Sequence, residues 1–460
     1  MLKIIPTYGP SIYDDSILSK VMEVADVVRV NLSHQGPDEG VETFNKLNKF
    51  NKPLMLDTSG PEVRLRSEDK IDIKKGERFE IGNDSSSKFY FDHDMSKVLV
   101  PGDLVYFDDG LTSTKLLEIK DKKMFFEALD SFTLKNKKRV NLKGKSFDCH
   151  ILKENDIAIL KGTNPEYVAL SYTRNANDVI EAKKFTKAKI IAKIENYDGI
   201  KNFNEIIKVA DGVMVARGDL GVEIPHEEVP IVQKMLIRVA NEYGKPSIVA
   251  TQVLTSMVEN NLPTRAEVND IANAALDGAD AIMLSNETAV GKYPLEAMLE
   301  VKKVGANVAP YVESTIKMKS NSLEFDVTSD ILSKTVYLIS KNKHVDKIVV
   351  LSRTGYSVRL ISRFKHSKEI IAITTDPKVA KEVNLLYGVK SVVWEHPKGK
   401  LIETAADLCL EKKLIEEDDT VVFVAGLKTQ KPHLTNLIEI HEIKDMLAYR
   451  KEQFSYVDEK

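Results

Sequence analysis

The chain has 460 residues, of which 43% are hydrophobic and 29% are charged, a composition typical of a globular protein with more than one domain. Its net charge of −3 gives no electrostatic reason to expect nucleic acid or a membrane surface as a partner. The two cysteines, Cys149 and Cys409, lie far apart, so we expect neither a disulfide nor a zinc site. The sequence has no 18-residue apolar run and no signal-peptide pattern, which predicts a cytoplasmic protein without a membrane span.

Eight short apolar runs alternate with amphipathic stretches in the regions 1–64 and 147–320. Buried parallel strands are continuously apolar, and their alternation with helices predicts a (β/α)8 TIM barrel over these two segments. The predicted strands are Leu2–Pro6, Val27–Asn31, Pro53–Asp57, Tyr167–Ser171, Lys189–Ile194, Gly212–Ala216, Ser247–Thr251 and Ala281–Leu284.

Two further regions depart from this rhythm. Residues 65–146 carry short alternating runs, such as Phe79–Ile81 and Leu104–Phe107, separated by glycine turns, which predicts a small inserted β-barrel. Its place in a barrel loop favours a lid that closes over substrate, and a passive insertion is the alternative. Residues 321–460 predict a C-terminal α/β domain with a mostly parallel sheet. Its expected elements are a helix at Ser329–Ile339 and strands at Lys347–Leu351, Ile370–Thr374, Ser391–Trp394 and Thr420–Val424.

Lys193 and Glu195 are the most informative residues, because a buried strand should not carry charge in its interior. Two positions apart, they face the same side of the strand. Glu195 could bind a divalent cation through oxygen, and Lys193 could neutralise negative charge that develops beside it. A buried ion pair that only stiffens the core is the alternative.

Polar side chains also follow other predicted strands. Arg29 could clamp a phosphoryl group, and the oxygens of Asn31 and Ser33 suit a hard cation. Asp219 could be a second carboxylate on the cation held by Glu195, with an ordinary helix N-cap as the alternative.

Three more segments carry polar or glycine signals. Gly218 lets a backbone N–H approach an anion, and Thr251 adds a hydroxyl. Thr264 and Glu267 have the spacing of a capping box, so we interpret them as structural. In the C-terminal domain, hydroxyls and a glycine precede a helix and could hold phosphate, with a capped helix as the alternative. These residues are Ser352, Arg353, Thr354, Gly355, Tyr356 and Ser357.

Together, these segments resemble the pyruvate kinase family, in order and over nearly the whole chain. The Lys193–Glu195 strand resembles the main signature of that family. The other matching blocks are residues 29–34, 57–62, 108–110, 216–221, 250–252 and 263–268. The resemblance implies a phosphotransferase that moves a phosphoryl group from phosphoenolpyruvate to ADP, giving pyruvate and ATP.

The resemblance also implies roles for individual residues. Glu195 and Asp219 would bind Mg²⁺ (or Mn²⁺), while Lys193 and Arg29 would contact the phosphoryl group. Backbone at Gly218 and Asp219, with Thr251, would hold the pyruvate carboxylate, and Thr251 would help protonate the enolate. A K⁺ site would use Asn31, Ser33, Asp57 and Thr58, and the nucleotide would lie near Asn31, His34 and Arg64.

With a glutamate at position 62, the chain resembles the potassium-dependent members of the family, so we expect its activity to depend on potassium. Ser59, Asn286 and Lys143 depart from the usual pattern without removing a proposed catalytic group. The resemblance further implies a homotetramer and an allosteric C-terminal domain regulated by a phosphorylated metabolite. Because the sequence begins on the first predicted strand and ends with the C-terminal domain, we expect no N-terminal extension and no appended phosphotransfer domain.

Two alternatives remain at this point. The first is a Mg²⁺-dependent lyase on the same fold, acting on the enolate of an oxo-acid, against which the lid and the Arg29–His34 block argue. The second is a non-catalytic sensor that uses the C-terminal phosphate site, against which the retained catalytic groups argue.

Overall fold

The computed structural model of this chain covers most of its residues. It describes residues 1–61, 63–107, 110, 112–121, 123–142, 150–315, 325–395, 400–426 and 434–449, with the backbone alone at His34, Ser314 and Thr315. Glu62, Asp108, Asp109, Lys143 and Cys149 lie outside the described residues, as does the His34 side chain, so the predictions made for them stay predictions.

The first three strands are short, parallel and almost wholly buried. They are β1 (Lys3–Pro6), β2 (Val28–Asn31) and β3 (Leu54–Asp57). Strand β2 pairs with β3 in a register that sets Asn31 opposite Asp57. The polar carboxyl ends of the two strands therefore meet at one edge of the sheet.

The inserted region forms its own small barrel, as the sequence predicts. Seven strands close in the order β10-β6-β7-β4-β12-β8-β9, while β5 and β11 make a separate two-stranded sheet. The alternating burial of β10, with every second residue inward, shows why the sequence reads as β structure. The strands are β4 (Val63–Arg66), β5 (Lys70–Ile73), β6 (Arg78–Gly82), β7 (Tyr90–Phe91), β8 (Leu104–Phe107), β9 (Thr112–Lys120), β10 (Lys123–Ala128), β11 (Phe132–Lys135) and β12 (Arg139–Leu142).

Five more parallel strands complete the first barrel and confirm the predicted TIM fold. The sheet order is β1-β17-β16-β15-β14-β13-β3-β2, and a bridge between Thr7 and Arg29 joins its two edges. All eight strands begin and end within one residue of the predicted bounds. The five strands are β13 (Tyr167–Leu170), β14 (Lys189–Ile194), β15 (Gly212–Ala216), β16 (Ser247–Ala250) and β17 (Ala281–Leu284).

The C-terminal domain has the expected mostly parallel sheet, in the order β20-β19-β18-β21-β22. Strand β22 runs antiparallel to β21 and was not predicted, and β20 begins two residues before the predicted run. The strands are β18 (Lys347–Leu351), β19 (Glu369–Thr374), β20 (Val389–Val393), β21 (Thr420–Ala425) and β22 (Leu437–Glu442).

Fifteen α-helices of the described residues surround these sheets. In α9, Thr264 and Glu267 form the predicted capping box, which satisfies backbone N–H groups at the start of the helix. The helices are α1 (Asp15–Val24), α2 (Pro37–Asn48), α3 (Glu154–Gly162), α4 (Ala176–Ala182), α5 (Tyr197–Lys201), α6 (Phe203–Val209), α7 (Arg217–Glu223), α8 (Val229–Glu242), α9 (Arg265–Leu276), α10 (Asn286–Ala289), α11 (Pro294–Thr315), α12 (Val327–Ser340), α13 (Tyr356–Ser362), α14 (Pro377–Val383) and α15 (Leu401–Glu411).

The C-terminal domain is attached to the amino end of the barrel through a buried ion pair. Lys365 Nζ lies 2.6 Å from Asp280 Oδ1, and each side chain is 1% exposed. Backbone N–H groups of Tyr387 and Ser247 donate to the two oxygens of the same carboxylate at 2.9 Å each. Lys365 and Asp280 therefore neutralise each other, and both oxygens of the carboxylate also accept from backbone N–H groups.

Candidate active site

Lys193 is the centre of a buried charge cluster at the carboxyl end of the barrel strands. Its Nζ lies 2.9 Å from Asp57 Oδ1, 3.0 Å from Glu195 Oε1 and 2.8 Å from Ser171 Oγ. The contacts with Asp57 and Ser171 are hydrogen bonds, and the contact with Glu195 is an ion pair. The ion pair considered as an alternative is present, but it is one part of a larger cluster that β3, β13 and β14 bring together.

Arg29 enters the same cluster from β2. Its Nε donates to Asp57 Oδ2 at 2.6 Å, and its Nη1 donates to Thr7 Oγ1 at 3.0 Å. Within the described residues, Nη2 has no hydrogen-bond partner and remains able to bind an anion. Burial alone would raise the pKa of Asp57, yet the charges of Arg29 and Lys193 hold that pKa below its usual value.

Glu195 and Asp219 are the two carboxylates proposed to share a cation, and Tyr172 touches both. The Tyr172 N–H donates to Glu195 Oε2 at 2.7 Å, and its hydroxyl donates to Asp219 Oδ1 at 3.4 Å. Burial, followed by the negative charges of Asp219 and Asp57, raises the pKa of Glu195 to about 7 despite Lys193. A cation between the two carboxylates would relieve this repulsion.

The donor set fits a hard divalent cation. Mg²⁺ is commonly held by one or two carboxylates, with water and substrate phosphate completing its octahedral shell. No cluster of three or more His, Cys, Asp or Glu side chains suited to a metal occurs in the described part of the chain. The pair Glu195 and Asp219 therefore suits a cation that shares its coordination with substrate, and does not suit a closed structural site.

The inserted domain also reaches this cluster. Arg139 Nη1 from β12 lies 2.7 Å from Asp219 Oδ1, and its guanidinium carbon lies 5.1 Å from the centre of the Tyr172 ring. Gly110 of the inserted domain packs so closely that a Cβ there would come within 3.0 Å of Val222. The inserted domain thus contacts the carboxyl face of the barrel, the position expected of a lid.

Thr251 contacts Gly218, the residue that precedes Asp219 in the chain. The Gly218 N–H donates to Thr251 Oγ1 at 2.7 Å, and the Thr251 hydroxyl donates to Ala250 O at 2.7 Å. Thr251 has a φ of +64°, a strained value for a β-branched residue. The N-cap of α7 is Ala216, so the alternative interpretation of Asp219 as an N-cap is wrong.

The remaining predicted residues divide between the cluster and its surroundings. Asn31 Oδ1 accepts from the Ser33 N–H at 3.2 Å, and Thr58 Oγ1 accepts from the Ser171 N–H at 3.1 Å. Both groups lie at the carboxyl ends of β2 and β3. Arg64 lies on the lid strand β4, where its Nη1 donates to a backbone carbonyl of the lid, Lys137 O, at 3.4 Å.

The proposed effector segment connects β18 to α13. Gly355 is the N-cap of that helix, with a φ of +73° that favours glycine, and no side chain caps it. Ser357 is tied to a neighbouring segment by a 2.5 Å hydrogen bond with Thr435. The N-cap residue is a glycine and has no side-chain oxygen of its own, so the phosphate site and the capped helix both stay predictions.

Sequence reasoning missed three contributors to the cluster. Ser171 was recognised only as a polar strand end, and neither Tyr172 nor Arg139 was singled out. Tyr172 has a φ of +56°, which cannot be predicted from a sequence pattern. Arg139 meets Asp219 only because two domains pack against each other.

Fold and site together define a class of protein. A TIM barrel places catalytic groups at the carboxyl ends of its strands, and this one gathers lysine, arginine and carboxylates there beneath an inserted domain. Such an arrangement neutralises the charge of phosphorylated substrates and is typical of a phosphotransferase.

Comparison with known proteins gives the family. The family model "Pyruvate kinase, barrel domain" matches residues 1–298, and "Pyruvate kinase, alpha/beta domain" matches residues 330–441. The pyruvate kinase of Geobacillus stearothermophilus is 34% identical over 97% of this chain and 81% of its own length. One from Staphylococcus epidermidis is 35% identical over the same shares. A pyruvate kinase structure from Cryptosporidium parvum has 31% identity and a TM-score of 0.87, covering 96% of this chain and 95% of its own.

The chain belongs to the pyruvate kinase family. It is a phosphotransferase, and the reaction of this family converts phosphoenolpyruvate and ADP into pyruvate and ATP, typically with metal ions. The lyase and sensor alternatives are therefore set aside. Among the described residues, none of the helices combines the length and apolar character needed to span a bilayer.

Proposed function

We propose that Lys193 and Arg29 are the residues that neutralise the transferring phosphoryl group. Burial alone would lower the pKa of Lys193, but the carboxylates of Asp57 and Glu195 raise it above the usual value. Both carboxylates therefore favour the cationic form of the lysine, which suits charge neutralisation. The fixed position of Arg29, with Nη2 turned to no described partner, supports its role beside the phosphate.

Glu195 and Asp219 would hold Mg²⁺, or Mn²⁺ in its place. When bound there, the cation would supply positive charge beside the phosphoryl group. The protein's contribution is to keep two carboxylates at one point under the lid. Tyr172 supports this arrangement, because it donates hydrogen bonds to both of them.

In the reaction, a terminal phosphate oxygen of ADP forms a bond to phosphorus while the bond from phosphorus to the enol oxygen breaks. The electron pair of that bond stays on oxygen, which gives the enolate of pyruvate. The enolate then takes a proton at its methylene carbon. Lys193 and Arg29 offset the charge that moves during the first step, since phosphoryl transfer depends mainly on positioning and electrostatics.

Thr251 would assist the second step, next to a carboxylate held by the backbone at Gly218 and Asp219. Its hydroxyl now donates to Ala250 O and accepts from Gly218 N–H. Proton delivery therefore requires the Thr251 hydroxyl to turn away from Ala250 O. Binding of a carboxylate at Gly218 requires the Gly218 N–H to donate to that carboxylate as well as, or instead of, to Thr251 Oγ1. Both changes would be local, because they involve one side-chain torsion.

A monovalent site would draw on Asn31, Ser33, Asp57 and Thr58, and the nucleotide would lie near Asn31, His34 and Arg64. Support comes from the common edge that β2 and β3 share, where Asn31 stands opposite Asp57. Both oxygens of Asp57 already contact cationic side chains, so K⁺ would share this carboxylate with Arg29 and Lys193. Glu62 is the reason to expect K⁺ dependence.

A cytoplasmic homotetramer regulated by a phosphorylated metabolite is the expected setting. An exposed apolar stripe on α12 supports an assembly interface, with Val327, Ile331 and Leu338 exposed at 71%, 59% and 68%. An anion site at residues 352–357 would use the hydroxyl groups beside Gly355, which is the N-cap of α13 and has a φ of +73°.

A steady-state assay tests this proposal. Turnover of phosphoenolpyruvate and ADP is measured by coupled detection of pyruvate, with Mg²⁺, Mn²⁺, K⁺ and Na⁺ added or omitted singly. We expect no turnover without a divalent cation and a large loss when Na⁺ replaces K⁺, which Glu62→Lys should relieve. Full activity in potassium-free buffer would contradict the K⁺ site, and full activity after Glu195→Gln would contradict the proposed metal site.

A further inference from the structure

Arg139 is the point at which the lid touches the proposed metal carboxylates. It lies on β12, in the lid, and Asp219 lies 80 positions later on α7, in the barrel. The 2.7 Å contact between them is largely sheltered, with side-chain exposures of 20% and 22%. A charge-assisted hydrogen bond of this length is a strong one, so the contact is more than incidental surface packing.

Tyr172 links this contact to the other carboxylate. Its ring lies under the Arg139 guanidinium, its hydroxyl reaches Asp219 Oδ1, and its N–H reaches Glu195 Oε2. Four residues, one from β12, one from α7 and two from the loops after β13 and β14, thus form one continuous cluster. Arg139 is the member supplied by the lid.

The charges explain what this contact does. In the barrel, Lys193 and Arg29 face three carboxylates, which are Asp57, Glu195 and Asp219. Both barrel cations contact Asp57, and Lys193 also contacts Glu195, whereas Asp219 receives its cationic partner from the lid. Arg139 therefore neutralises the Asp219 carboxylate, which is the charge that a divalent cation would otherwise neutralise.

The contact with Arg139 and inner-sphere binding of a dication at the same oxygen oppose each other. Asp219 Oδ1 already accepts from Arg139 Nη1 and from the Tyr172 hydroxyl. A dication at that oxygen would stand against a guanidinium of like charge, which costs free energy at such short range.

We propose that Arg139 is a positioning residue that closes the lid onto Asp219 and competes with the divalent cation for that carboxylate. The inference rests on the proposed metal role of Glu195 and Asp219. It implies that the cation binds the substrate-free protein weakly while Arg139 is in place. Phosphorylated substrates would offer the guanidinium an alternative anion and so release Asp219 to the cation.

Mn²⁺ binding to the substrate-free protein tests this competition directly. The paramagnetic resonance signal of free Mn²⁺ is followed during titration at constant ionic strength. We expect Arg139→Gln to bind Mn²⁺ about 5- to 10-fold more tightly than the unaltered chain, a typical size for coupling between two sites. Arg139→Lys keeps the charge but loses the planar fork, so it should fall between the two.

Matched controls separate the possible failures. Arg66 is a lid arginine that pairs with Asp92 inside the lid, at 3.1 Å, so Arg66→Gln should leave Mn²⁺ affinity unchanged. Asp219→Asn should weaken Mn²⁺ binding at least tenfold. If Asp219→Asn and Glu195→Gln leave binding unaltered, the proposed metal site is wrong.

If those two variants weaken binding while Arg139→Gln and Arg139→Lys match the unaltered chain, the metal site stands and the competition is refuted. Activity gives a second readout. The activation constant for Mg²⁺ should fall in Arg139→Gln, whereas the KM for ADP and phosphoenolpyruvate should rise because the lid closes less readily. A purely structural role would lower the melting temperature without shifting the Mn²⁺ constant in the intact protein.

Discussion

The two ends of the TIM barrel both bury charge, and they do so in different ways. At the joint with the C-terminal domain, Lys365 and Asp280 balance one to one, and backbone N–H groups occupy both oxygens of the carboxylate. At the opposite end, two barrel cations face three carboxylates, and the balance is completed by Arg139 from another domain. The first cluster is balanced by residues fixed at the joint, whereas the second is balanced only while Arg139 contacts Asp219, so it can accept a cation once Arg139 leaves.

This contrast predicts whether a substitution of a buried charged residue mainly lowers stability or mainly lowers activity. Breaking a saturated pair leaves an uncompensated ion and should cost stability. Changing a residue in the cluster at the carboxyl end of the strands should reduce function more than stability, because that cluster is built to meet the charge that substrates and cations bring. Substitutions at the two ends of the barrel can therefore confirm or refute the distinction.

The largest expected effect is at Lys193. In Lys193→Met, kcat should fall by about 10²- to 10³-fold, because a single preorganised donor at the reacting charge is typically worth that much. Coupled assay at saturating substrates measures it. Circular dichroism and thermal melting should show a folded protein, and near-normal turnover would disprove the assigned role.

The next effect belongs to the joint. Lys365→Met should lower the free energy of unfolding by about 3–5 kcal/mol, since it leaves Asp280 buried without its counter-ion. Denaturant unfolding measures this, and kcat at a permissive temperature should stay within about twofold. If Lys365→Met kept its stability and lost turnover, the proposed difference between the two ends of the barrel would be wrong.

His366 shows a third way to bury a titratable group, which is to keep it neutral. Burial lowers its pKa to about 4, despite a hydrogen bond with Ile361 O, and Ser340 Oγ lies 2.7 Å from its Nδ1. Because the unfolded chain binds this proton near pH 6.5, stability should fall as the pH drops from about 6.5 to 4, by about 3 kcal/mol from this group.

Unfolding experiments across this pH range, on the unaltered chain and on His366→Gln, measure the contribution of His366. The variant should lose this part of the acid sensitivity, although other groups will still titrate. An identical pH slope in both proteins would show that His366 is not buried in its neutral form.

The smallest effect is expected at an exposed, locally satisfied cap. Thr264→Ala removes the hydroxyl that accepts from the Glu267 N–H in the capping box of α9, at a cost of about 1 kcal/mol. Thermal melting measures the change, and kcat should be unaltered. Thr264→Ser keeps the hydroxyl and serves as the control.

The barrel strands could be predicted because buried parallel strands appear in the sequence as continuous apolar runs. For this reason both ends of all eight strands agree with the predicted ends within one residue. The same pattern located Lys193, Glu195 and Asp57, since charges at the ends of such runs are conspicuous. Strand β22 was missed because its residues are partly exposed or exposed throughout, so it lacks an apolar run.

The rest of the site could not be predicted from local pattern. Arg139 is one of several basic residues in a lid segment that looks like a solvated turn, and only domain packing shows which one meets Asp219. Tyr172 and Thr251 adopt positive φ values of +56° and +64°, and such strain is imposed by the surrounding fold. Neither residue type signals it.

The strands that lead into and out of the inserted domain are neighbours. Strand β4 pairs with β12, with Val63 opposite Val140 and Arg64 opposite Arg139. The chain therefore enters β4 and leaves β12 along one edge of the inserted domain. Arg139, whose guanidinium meets Asp219, lies on that same edge, so the charge contact with the barrel sits beside the strands by which the domain is attached.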